Sequence, residues 1–272
     1  MWYILNMSLS KLEKYYNKFN EDKRLNSRHG IVEFTTTTKY IDEVLELVKQ
    51  KNGITQNSQI KIADIGAGTG RYSKHYFDKG YDITSVELVK QNYVRIREKC
   101  PNIKAYLKDA RNLKGLSDES FDITLLLGPM YHLFGEDKLI ALNEAKRITK
   151  KGGYIVIAYL LNDYAVISYA FKENNLKQVL EQNKLDDNFI THTTTDDLYS
   201  YDTLENIYSY SKDCNLLRYK ILSPDGPTDY MRQVINNMDN YTFDRYLQYV
   251  QKIAERQDLL GASSHIVDIL IK

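Results

Sequence analysis

The spacing of apolar residues divides the chain into a regular middle stretch and two less regular ends. Between residues 60 and 161, short apolar runs alternate with segments in which apolar residues recur at helical spacing. Runs of Val, Ile and Ala with few polar interruptions are typical of strands buried on both faces, as in parallel sheets. The alternation of strand and helix therefore predicts right-handed βαβ units and a parallel sheet.

Five strands and three connecting helices are predicted in this middle stretch. The helices begin at Arg71, Val89 and Lys138, and Pro101 ends the second of them. The predicted strands are Ile60–Ile65, Tyr81–Glu87, Ile103–Ala110, Phe121–Leu127 and Tyr154–Leu161.

The two ends of the chain combine helices with less regular sequence. Helical spacing covers 10–19, and it resumes at Tyr40 after a polar, irregular stretch. Beyond residue 161 the helical pattern is interrupted, and an amphipathic helix follows Thr242, which is a suitable N-cap. Apolar runs at 216–222 and 265–271 predict two further strands.

The change of pattern also predicts how the chain is organised into domains. We expect an N-terminal cap segment, 1–38, followed by one main domain, 39–272. Within that domain, 162–200 and 227–262 are expected to be cap insertions, because their helical patterns interrupt the succession of strands.

Composition narrows the class of protein. The chain has 272 residues, of which 43% are hydrophobic, and its 37 basic and 36 acidic residues give a formal net charge of +1. No strong basic field favours nucleic acid as a partner. The two cysteines have neither the number nor the spacing of a disulfide framework or a zinc site. No apolar run approaches the length of a membrane span, so we expect a soluble, cytoplasmic protein without a metal.

The strongest chemical signal follows the first predicted strand. Gly66, Gly68 and Gly70 alternate there, directly before a predicted helix. Glycine permits positive φ angles and close approach of the backbone to a ligand, and a helix N-terminus presents unpaired N–H groups. Glu87 ends the second predicted strand, where an acid can hold a ribose hydroxyl pair. The dinucleotide fingerprint G-x-G-x-x-G is not met, because Arg71 stands at its third glycine position.

This pattern resembles that of the class I S-adenosylmethionine-dependent methyltransferases. Asp64 to Gly70 looks like their first motif, and the later strands match theirs in order. The resemblance implies an α/β, Rossmann-like, doubly wound fold. Its seven-stranded sheet is mainly parallel with an antiparallel last strand, and helical cap insertions are added to it. It also implies S-adenosyl-L-methionine as the cofactor.

The resemblance assigns expected roles to individual residues. Glu87 matches the ribose-binding acid, Asp109 and Ala110 match the pair that flanks adenine, and Asp64 orients the glycine loop or meets the cofactor amine. The expected cofactor-binding residues are Asp64, Gly66, Ala67, Gly68, Gly70, Glu87, Leu88, Asp109, Ala110 and Leu127. Asp109 would equally suit a plain helix N-cap.

The loop after the fourth predicted strand is expected to face the transferable methyl group. Tyr131 and His132 are therefore candidates to position or deprotonate an acceptor, although packing roles would also explain them. The loop departs from the Asn/Asp-Pro-Pro-Tyr motif of enzymes that methylate adenine or glutamine amides, since Gly128 and Met130 replace two of its members. It also lacks the cysteine required for methylation of pyrimidine carbon 5.

The N-terminal segment supplies candidates for an acceptor-binding lid. These are Tyr15, Tyr16, Arg24, His29 and Glu33. The sequence thus predicts a methyltransferase whose acceptor is a small molecule enclosed by aromatic caps. Two alternatives stay open, namely a protein or RNA acceptor and a non-catalytic protein that binds the cofactor. A nicotinamide-dependent oxidoreductase is disfavoured by Arg71.

Overall fold

A seven-stranded sheet runs through the centre of the protein. The structure, a computed structural model, describes residues 11–16 and 26–272. The strands are β1 Lys61–Ile65, β2 Asp82–Glu87, β3 Lys104–Leu107, β4 Phe121–Leu126, β5 Thr149–Leu160, β6 Leu217–Leu222 and β7 His265–Ile271.

The strand order is β3-β2-β1-β4-β5-β7-β6. Strands β1 to β5 are parallel, whereas β7 runs antiparallel to both of its neighbours, β5 and β6. The predicted α/β, Rossmann-like sheet with an antiparallel last strand is therefore confirmed. The strand order reverses between β1 and β4, so the carboxyl ends of these two strands form the crevice where ligands bind in open α/β sheets.

Helices cover both faces of this sheet. A short helical segment lies at 11–16. The α-helices that follow are α1 Arg28–Asn52, α2 Arg71–Asp78, α3 Lys90–Lys99, α4 Glu136–Ile148, α5 Asn162–Ala165, α6 Leu176–Glu181, α7 Leu204–Asp213, α8 Arg232–Asn237 and α9 Asn240–Ile253. A π-helix, Val166–Lys172, continues α5, and short 3-10 helices occupy Asn57–Gln59, Met130–His132, Gly226–Met231 and Gln257–Ala262.

The core consists of two layers, one on each face of the sheet. Strand β5 contributes to both, with Ile155 and Ile157 in one layer and Tyr154 and Val156 in the other. Such alternation is the period-2 geometry of a strand. Helix α4 packs in the first layer and α1 in the second. Among the described residues, no helix is both long and apolar enough to cross a membrane.

The start of α1 corrects the expectation of an irregular stretch before Tyr40. The helix begins at Arg28, after the N-cap Ser27, and includes all four consecutive threonines. Thr36 and Thr37 are buried within it. Threonine disfavours helix by itself, so packing against the neighbouring elements overrides its low propensity. Residues 28–38 are therefore part of a 25-residue helix that continues to Asn52.

The 227–262 segment packs on this first part of α1. Val32 of α1 forms a small apolar cluster with Ile235, Phe243 and Val250. The N-cap of α9 is Asp239, whose side chain accepts from the Thr242 backbone N–H, so the expected cap at Thr242 lies one turn too late. The segment from 162 to 185 has an apolar cluster of its own.

Candidate functional site

The loop between β1 and α2 forms the floor of the crevice. Gly66 and Gly68 both have positive φ angles, of 71° and 56°. A Cβ on Gly66 would lie 2.5 Å from the ring of Pro129, whereas a Cβ on Gly68 would meet no atom within 4 Å. Gly66 is thus required for packing against the loop after β4, and Gly68 leaves its backbone open to a ligand. Gly70 instead packs against Ile96 and begins α2.

Glu87, at the end of β2, is held against this loop. Its carboxylate accepts from the backbone N–H of Gly68 at 2.7 Å and from that of Val89 at 2.8 Å. Burial raises the pKa of Glu87 to about 7, against these backbone hydrogen bonds, which lower it. A carboxylate has about four lone-pair sites, so two accepted bonds leave capacity for hydroxyl donors.

Asp64, at the end of β1, points to the first turns of α2. Its Oδ2 accepts from the Ser73 hydroxyl at 2.6 Å, and that hydroxyl also contacts Ser85 at 2.7 Å. Burial raises the pKa of Asp64 to about 6, although the bonds from Ser73 oppose the shift. Of the two roles expected for Asp64, these contacts favour orienting the glycine loop.

Asp109 follows β3 and is paired with Arg111. The Arg111 guanidinium donates to Asp109 at 2.5 Å and to Asp137 at 2.6 Å. The Asp109 carboxylate also accepts from the Arg111 backbone N–H, as in an Asx turn. No helix begins between β3 and β4, so the interpretation of Asp109 as a helix N-cap is wrong. Hydrogen bonds to the Asp109 carboxylate raise the pKa of Arg111 well above its usual range, although partial burial opposes the shift.

A cavity of about 240 Å³ lies between these acids and the loop after β4. Both polar and apolar side chains line it, which suits a ligand with sugar and ring parts. Of the expected cofactor residues, those at the cavity wall are Gly66, Gly68, Glu87, Leu88, Asp109 and Ala110. Asn92, Lys108, Arg111 and Phe134 also line it, although the sequence pattern did not single them out.

His132 closes one side of this cavity and has a defined tautomer. Its Nδ1–H donates to the Leu198 carbonyl at 2.8 Å, because a carbonyl oxygen only accepts. Its Nε2 therefore accepts from the Tyr16 hydroxyl at 2.9 Å. Burial lowers the pKa of His132 to about 4, so the ring is neutral at pH 7 and a weak base. The ring also stacks on Tyr199, with centroids 5.1 Å apart.

A second cavity, of about 80 Å³, adjoins the first and shares Gly66, Gly68, Gly128 and Tyr16 with it. Asp64, Ala67 and Leu127, three of the expected cofactor residues, line this second cavity. The acceptor candidate Tyr131 also lines it, together with Glu33, Phe34, Arg71 and Tyr72. Gly70 lines neither cavity.

The lid candidates are not all brought to the cavities. Tyr16 and Glu33 line them, whereas Tyr15 lies behind, where its hydroxyl accepts from Tyr199 at 2.8 Å. His29 instead contacts Ser27 and Asn236 on the surface. Arg24 lies outside the described residues.

A polar cluster beside the second cavity was missed by sequence reasoning. The His265 Nδ1 lies 2.7 Å from Asp225, and Ser264 donates to both Asp225 and Asp229. The sequence placed His265 only in a predicted strand and did not single out Asp225. The 40 residues that separate them left no local pattern, and only the antiparallel placement of β7 brings them together.

Comparison with known proteins agrees with this geometry. Residues 63–157 match the family model described as a methyltransferase domain. A curated relative, demethylmenaquinone methyltransferase of Paenarthrobacter aurescens (strain TC1), is 34% identical over 98 residues. That match spans 36% of this chain and 38% of the relative.

Solved structures of similar fold extend over more of the chain. One is an S-adenosylmethionine-dependent methyltransferase of Thermotoga maritima, a "possible histamine N-methyltransferase". It covers 100% of both chains with a TM-score of 0.56 and 19% identity. A second, an S-adenosylmethionine-dependent methyltransferase of Methanosarcina mazei, covers 78% of this chain and 92% of its own, with a TM-score of 0.52 and 14% identity. At these identities the likeness concerns the fold.

The fold and the crevice thus define a Rossmann-like nucleotide-binding protein. More particularly, residues 63–157 belong to the methyltransferase-domain family, and the chain shares the fold of S-adenosylmethionine-dependent methyltransferases. S-adenosylmethionine is the family's cofactor, and the residues of this chain fit it. The open space above Gly68 admits a ligand close to the backbone, and the buried Glu87 carboxylate retains acceptor capacity for ribose hydroxyls.

Proposed function

We propose that the protein transfers a methyl group from S-adenosylmethionine to a small-molecule acceptor. The observation that carries the proposal is the pair of adjoining cavities at the carboxyl ends of β1 and β4. One has the acids of a nucleoside site, and the other is lined by aromatic rings. A concave site with few polar groups is characteristic of small-molecule binding.

The residues around the first cavity would hold the cofactor. Glu87 would accept from the ribose hydroxyls, Asp109 and Ala110 would flank the adenine, and Gly68 would allow close approach. When bound, S-adenosylmethionine supplies a methyl group activated by an adjacent sulfonium. The protein's contribution is then to orient donor and acceptor and to exclude water.

Tyr131 and His132 would shape the passage between the two cavities. His132 is neutral and accepts the Tyr16 hydroxyl, so we assign it to positioning Tyr16 rather than to removing a proton. Tyr131 lines the second cavity and would contact the acceptor.

A small acceptor is favoured over a macromolecule for two reasons. The net charge of +1 offers no strong general attraction for RNA. In addition, the 11–16 helix covers the cavities, because its Tyr16 lines both of them. The curated relative is named for demethylmenaquinone, which is also a small molecule.

Calorimetry with S-adenosylmethionine, its demethylated product and NAD provides the first test. We expect the first two to bind and NAD not to bind, because Arg71 replaces the third glycine of the dinucleotide fingerprint. NAD binding without a response to the sulfonium compound would contradict the proposal.

A methyl-transfer assay separates the proposal from its alternatives. Turnover of metabolites supports a small-molecule acceptor, and turnover of protein or RNA alone supports a macromolecular one. Tight cofactor binding with no turnover of any acceptor class would indicate a non-catalytic protein that binds the cofactor.

A further inference from the structure

A third cavity, of about 220 Å³, lies in the segment that runs from α5 to α7. It is nearly as large as the first cavity, and it shares no lining residue with the first or the second. Its floor is the buried apolar cluster of this segment, formed by Val166, Ala170, Val179 and Leu185. The first two belong to the π-helix, an element that is rare and is frequently found at functional sites. The third cavity is therefore a candidate binding site of its own.

The lining of the third cavity favours an uncharged ligand. Its two charged residues, Lys184 and Asp197, form an ion pair with each other. A charged group brought into the cavity would therefore lose water without gaining a free counter-ion, which is costly. The rings of Tyr169, Tyr199 and Tyr201 line the cavity as well, and their hydroxyls add hydrogen-bonding groups. An apolar floor with a few polar groups suits a ring or a short chain that carries one hydrogen-bonding group.

Three aromatic rings meet where the three cavities approach one another. His132 lines the first cavity, Tyr131 the second and Tyr199 the third. The rings of His132 and Tyr199 are stacked, with centroids 5.1 Å apart and an angle of 28° between their planes. The Tyr131 centroid lies 4.9 Å from that of His132 and 6.2 Å from that of Tyr199. These separations are those of stabilising aromatic pairs, so a ligand that packs on Tyr199 also restricts its two neighbours.

The same group of rings holds the helix at 11–16. The Tyr199 hydroxyl donates to the Tyr15 hydroxyl at 2.8 Å, and the Tyr16 hydroxyl donates to His132 Nε2 at 2.9 Å. Tyr16 in turn lines the first and second cavities. The position of this helix over the cofactor site thus depends in part on Tyr199, a residue of the third cavity.

We propose that the third cavity binds an uncharged, largely apolar small molecule, and that its binding holds the 11–16 helix over the cofactor site. This inference goes beyond the proposed function, because the ligand of the third cavity takes no part in methyl transfer. Two ligands that favour the same position of one helix must strengthen each other's binding, by the same factor in both directions. Such coupling is typically about 5- to 150-fold.

Indole provides a probe for the site. It is an uncharged aromatic molecule with one N–H donor, and indole carboxylate has the same rings with a negative charge. By calorimetry on the full chain, we expect indole to bind with a Kd below about 1 mM. Indole carboxylate should bind roughly 10-fold more weakly or not at all, because the cavity has no free cation to compensate its charge.

Two variants fill the cavity from different elements. Ala170→Leu adds volume from the π-helix, and Thr193→Trp adds it from the segment after α6. Each should weaken indole binding about 10-fold or more, because the space is taken. Thr193 is only half-buried, so its variant keeps the test valid if position 170 does not tolerate leucine. Ala262→Leu, at an exposed site on the last 3-10 helix, is the control and should bind indole as the unaltered protein does.

The coupling is measured with S-adenosylmethionine and by hydrogen exchange. Saturating indole should tighten S-adenosylmethionine binding about 5-fold or more. It should also increase protection at 11–16 when no cofactor is present. Tyr199→Phe keeps the ring but loses the hydrogen bond to Tyr15, so indole should still bind while the coupling falls at least about two-fold. Tyr241→Phe, which is 76% exposed on α9, should keep the full coupling.

The outcomes distinguish this inference from the proposed function. If S-adenosylmethionine does not bind, the proposed function is contradicted, whereas indole binding with new protection at 11–16 would still support this inference. Absence of indole binding, or undiminished binding by both filled variants, overturns the site. Equally tight binding of indole carboxylate overturns the assignment of an uncharged ligand. Indole binding that changes neither the cofactor affinity nor the protection at 11–16 overturns the coupling. Methylation of bound indole would make it an acceptor and overturn a separate site.

Discussion

At the scale of single residues, the acids of the site owe their properties to burial and to the donors around them. Glu87 and Asp64 are both buried, and their pKa values are raised to about 7 and about 6. Each is nevertheless held by short hydrogen bonds from the backbone or a serine. Such groups are costly to keep charged, and they are kept where they position a ligand or a loop.

Glu87 offers the sharpest test of the cofactor site. Glu87→Gln keeps the size of the side chain but loses the negative charge and one acceptor oxygen. We expect S-adenosylmethionine to bind about 10- to 100-fold more weakly, because charged hydrogen bonds to the ribose are lost. Calorimetry measures this change, with Glu98→Gln as the control. A folded variant with unchanged cofactor affinity would remove Glu87 from the site.

His265 should make stability depend on pH. Its folded-state pKa of about 9 lies above the ordinary value of 6.5, so the folded state holds a proton that the unfolded state has lost between these values. The proton on His265 stabilises the folded state by on the order of 3 kcal/mol. This contribution is fully present below pH 6.5 and is lost as the pH rises through 9. Urea unfolding of His265→Gln at pH 6 and pH 9 should show a smaller decline than the unaltered protein.

The exposed His192 provides the control for this measurement. His192→Gln should retain the full decline in unfolding free energy between pH 6 and pH 9. An equally steep decline in His265→Gln would show that the charge on His265 does not stabilise the fold.

At the scale of elements, the glycine loop joins two functions in three residues. Gly66 allows the loop after β4 to approach, and Gly68 leaves space for a ligand. The same loop receives Glu87 from β2 through the Gly68 N–H. The register of the parallel strands β1 and β2 therefore sets the geometry of the site, since Ile65 is paired with Val86, directly before Glu87.

Two alanine substitutions should separate these functions. Gly66→Ala should lower the free energy of unfolding by more than about 2 kcal/mol. Its Cβ would overlap the ring of Pro129, and the positive φ adds strain. The Cβ of Gly68→Ala would contact no neighbouring atom, so the free energy of unfolding should fall only by the roughly 1–2 kcal/mol that a positive φ costs. Denaturant unfolding and calorimetry measure both effects. If Gly68→Ala binds the cofactor as tightly as the unaltered protein, the ligand does not approach the backbone at Gly68.

The N-terminal elements bear on the predicted lid, which stays a prediction. The lid candidates include His29 and Glu33, but residues 28–38 lie in α1, which packs on α8 and α9. Hydrogen exchange should therefore show those residues protected with or without cofactor. New protection should be confined to the helix at 11–16, where Tyr16 lines both cavities. Cofactor-dependent protection throughout 28–38 would contradict this boundary.

At the scale of the whole molecule, the N-terminal and C-terminal segments meet around one site. Glu33 comes from α1, Tyr131 from the loop after β4, and His265 from the start of β7. Strand β7 lies between β5 and β6, so the last strand of the chain carries His265 to the same edge of the sheet. A ligand that bridges these segments should stabilise the whole fold.

Thermal unfolding measures how far the ligand stabilises the fold. At a concentration of the demethylated cofactor 100-fold above its Kd, mass action contributes about 2.7 kcal/mol, and the Tm should rise by about 5–10 °C. Gly68→Ala should lose most of this rise at the same concentration, whereas Glu98→Gln should keep it. A Tm that is independent of the ligand would contradict binding to the folded state.

Local pattern was sufficient to predict the sheet and the acids at the ends of its strands. The buried strands gave continuous apolar runs, the glycines marked the turn, and Glu87 and Asp109 stood at strand ends. Each of these signals lies within a few residues, where backbone geometry and the period of a strand apply. Register then followed, because parallel strands joined by helices bring their carboxyl ends to one edge.

Contacts between distant parts of the chain were decided only by the tertiary structure. The threonine run before Tyr40 became helical because α1 is packed along its length, which outweighs the low helix propensity of threonine. The cluster of Asp225, Asp229 and His265 depends on β7 entering the sheet between β5 and β6. The sequence therefore determined the class of fold and the placement of Glu87 and Asp109 at strand ends, whereas the surroundings of Glu33 arose from long-range packing that no local period encodes.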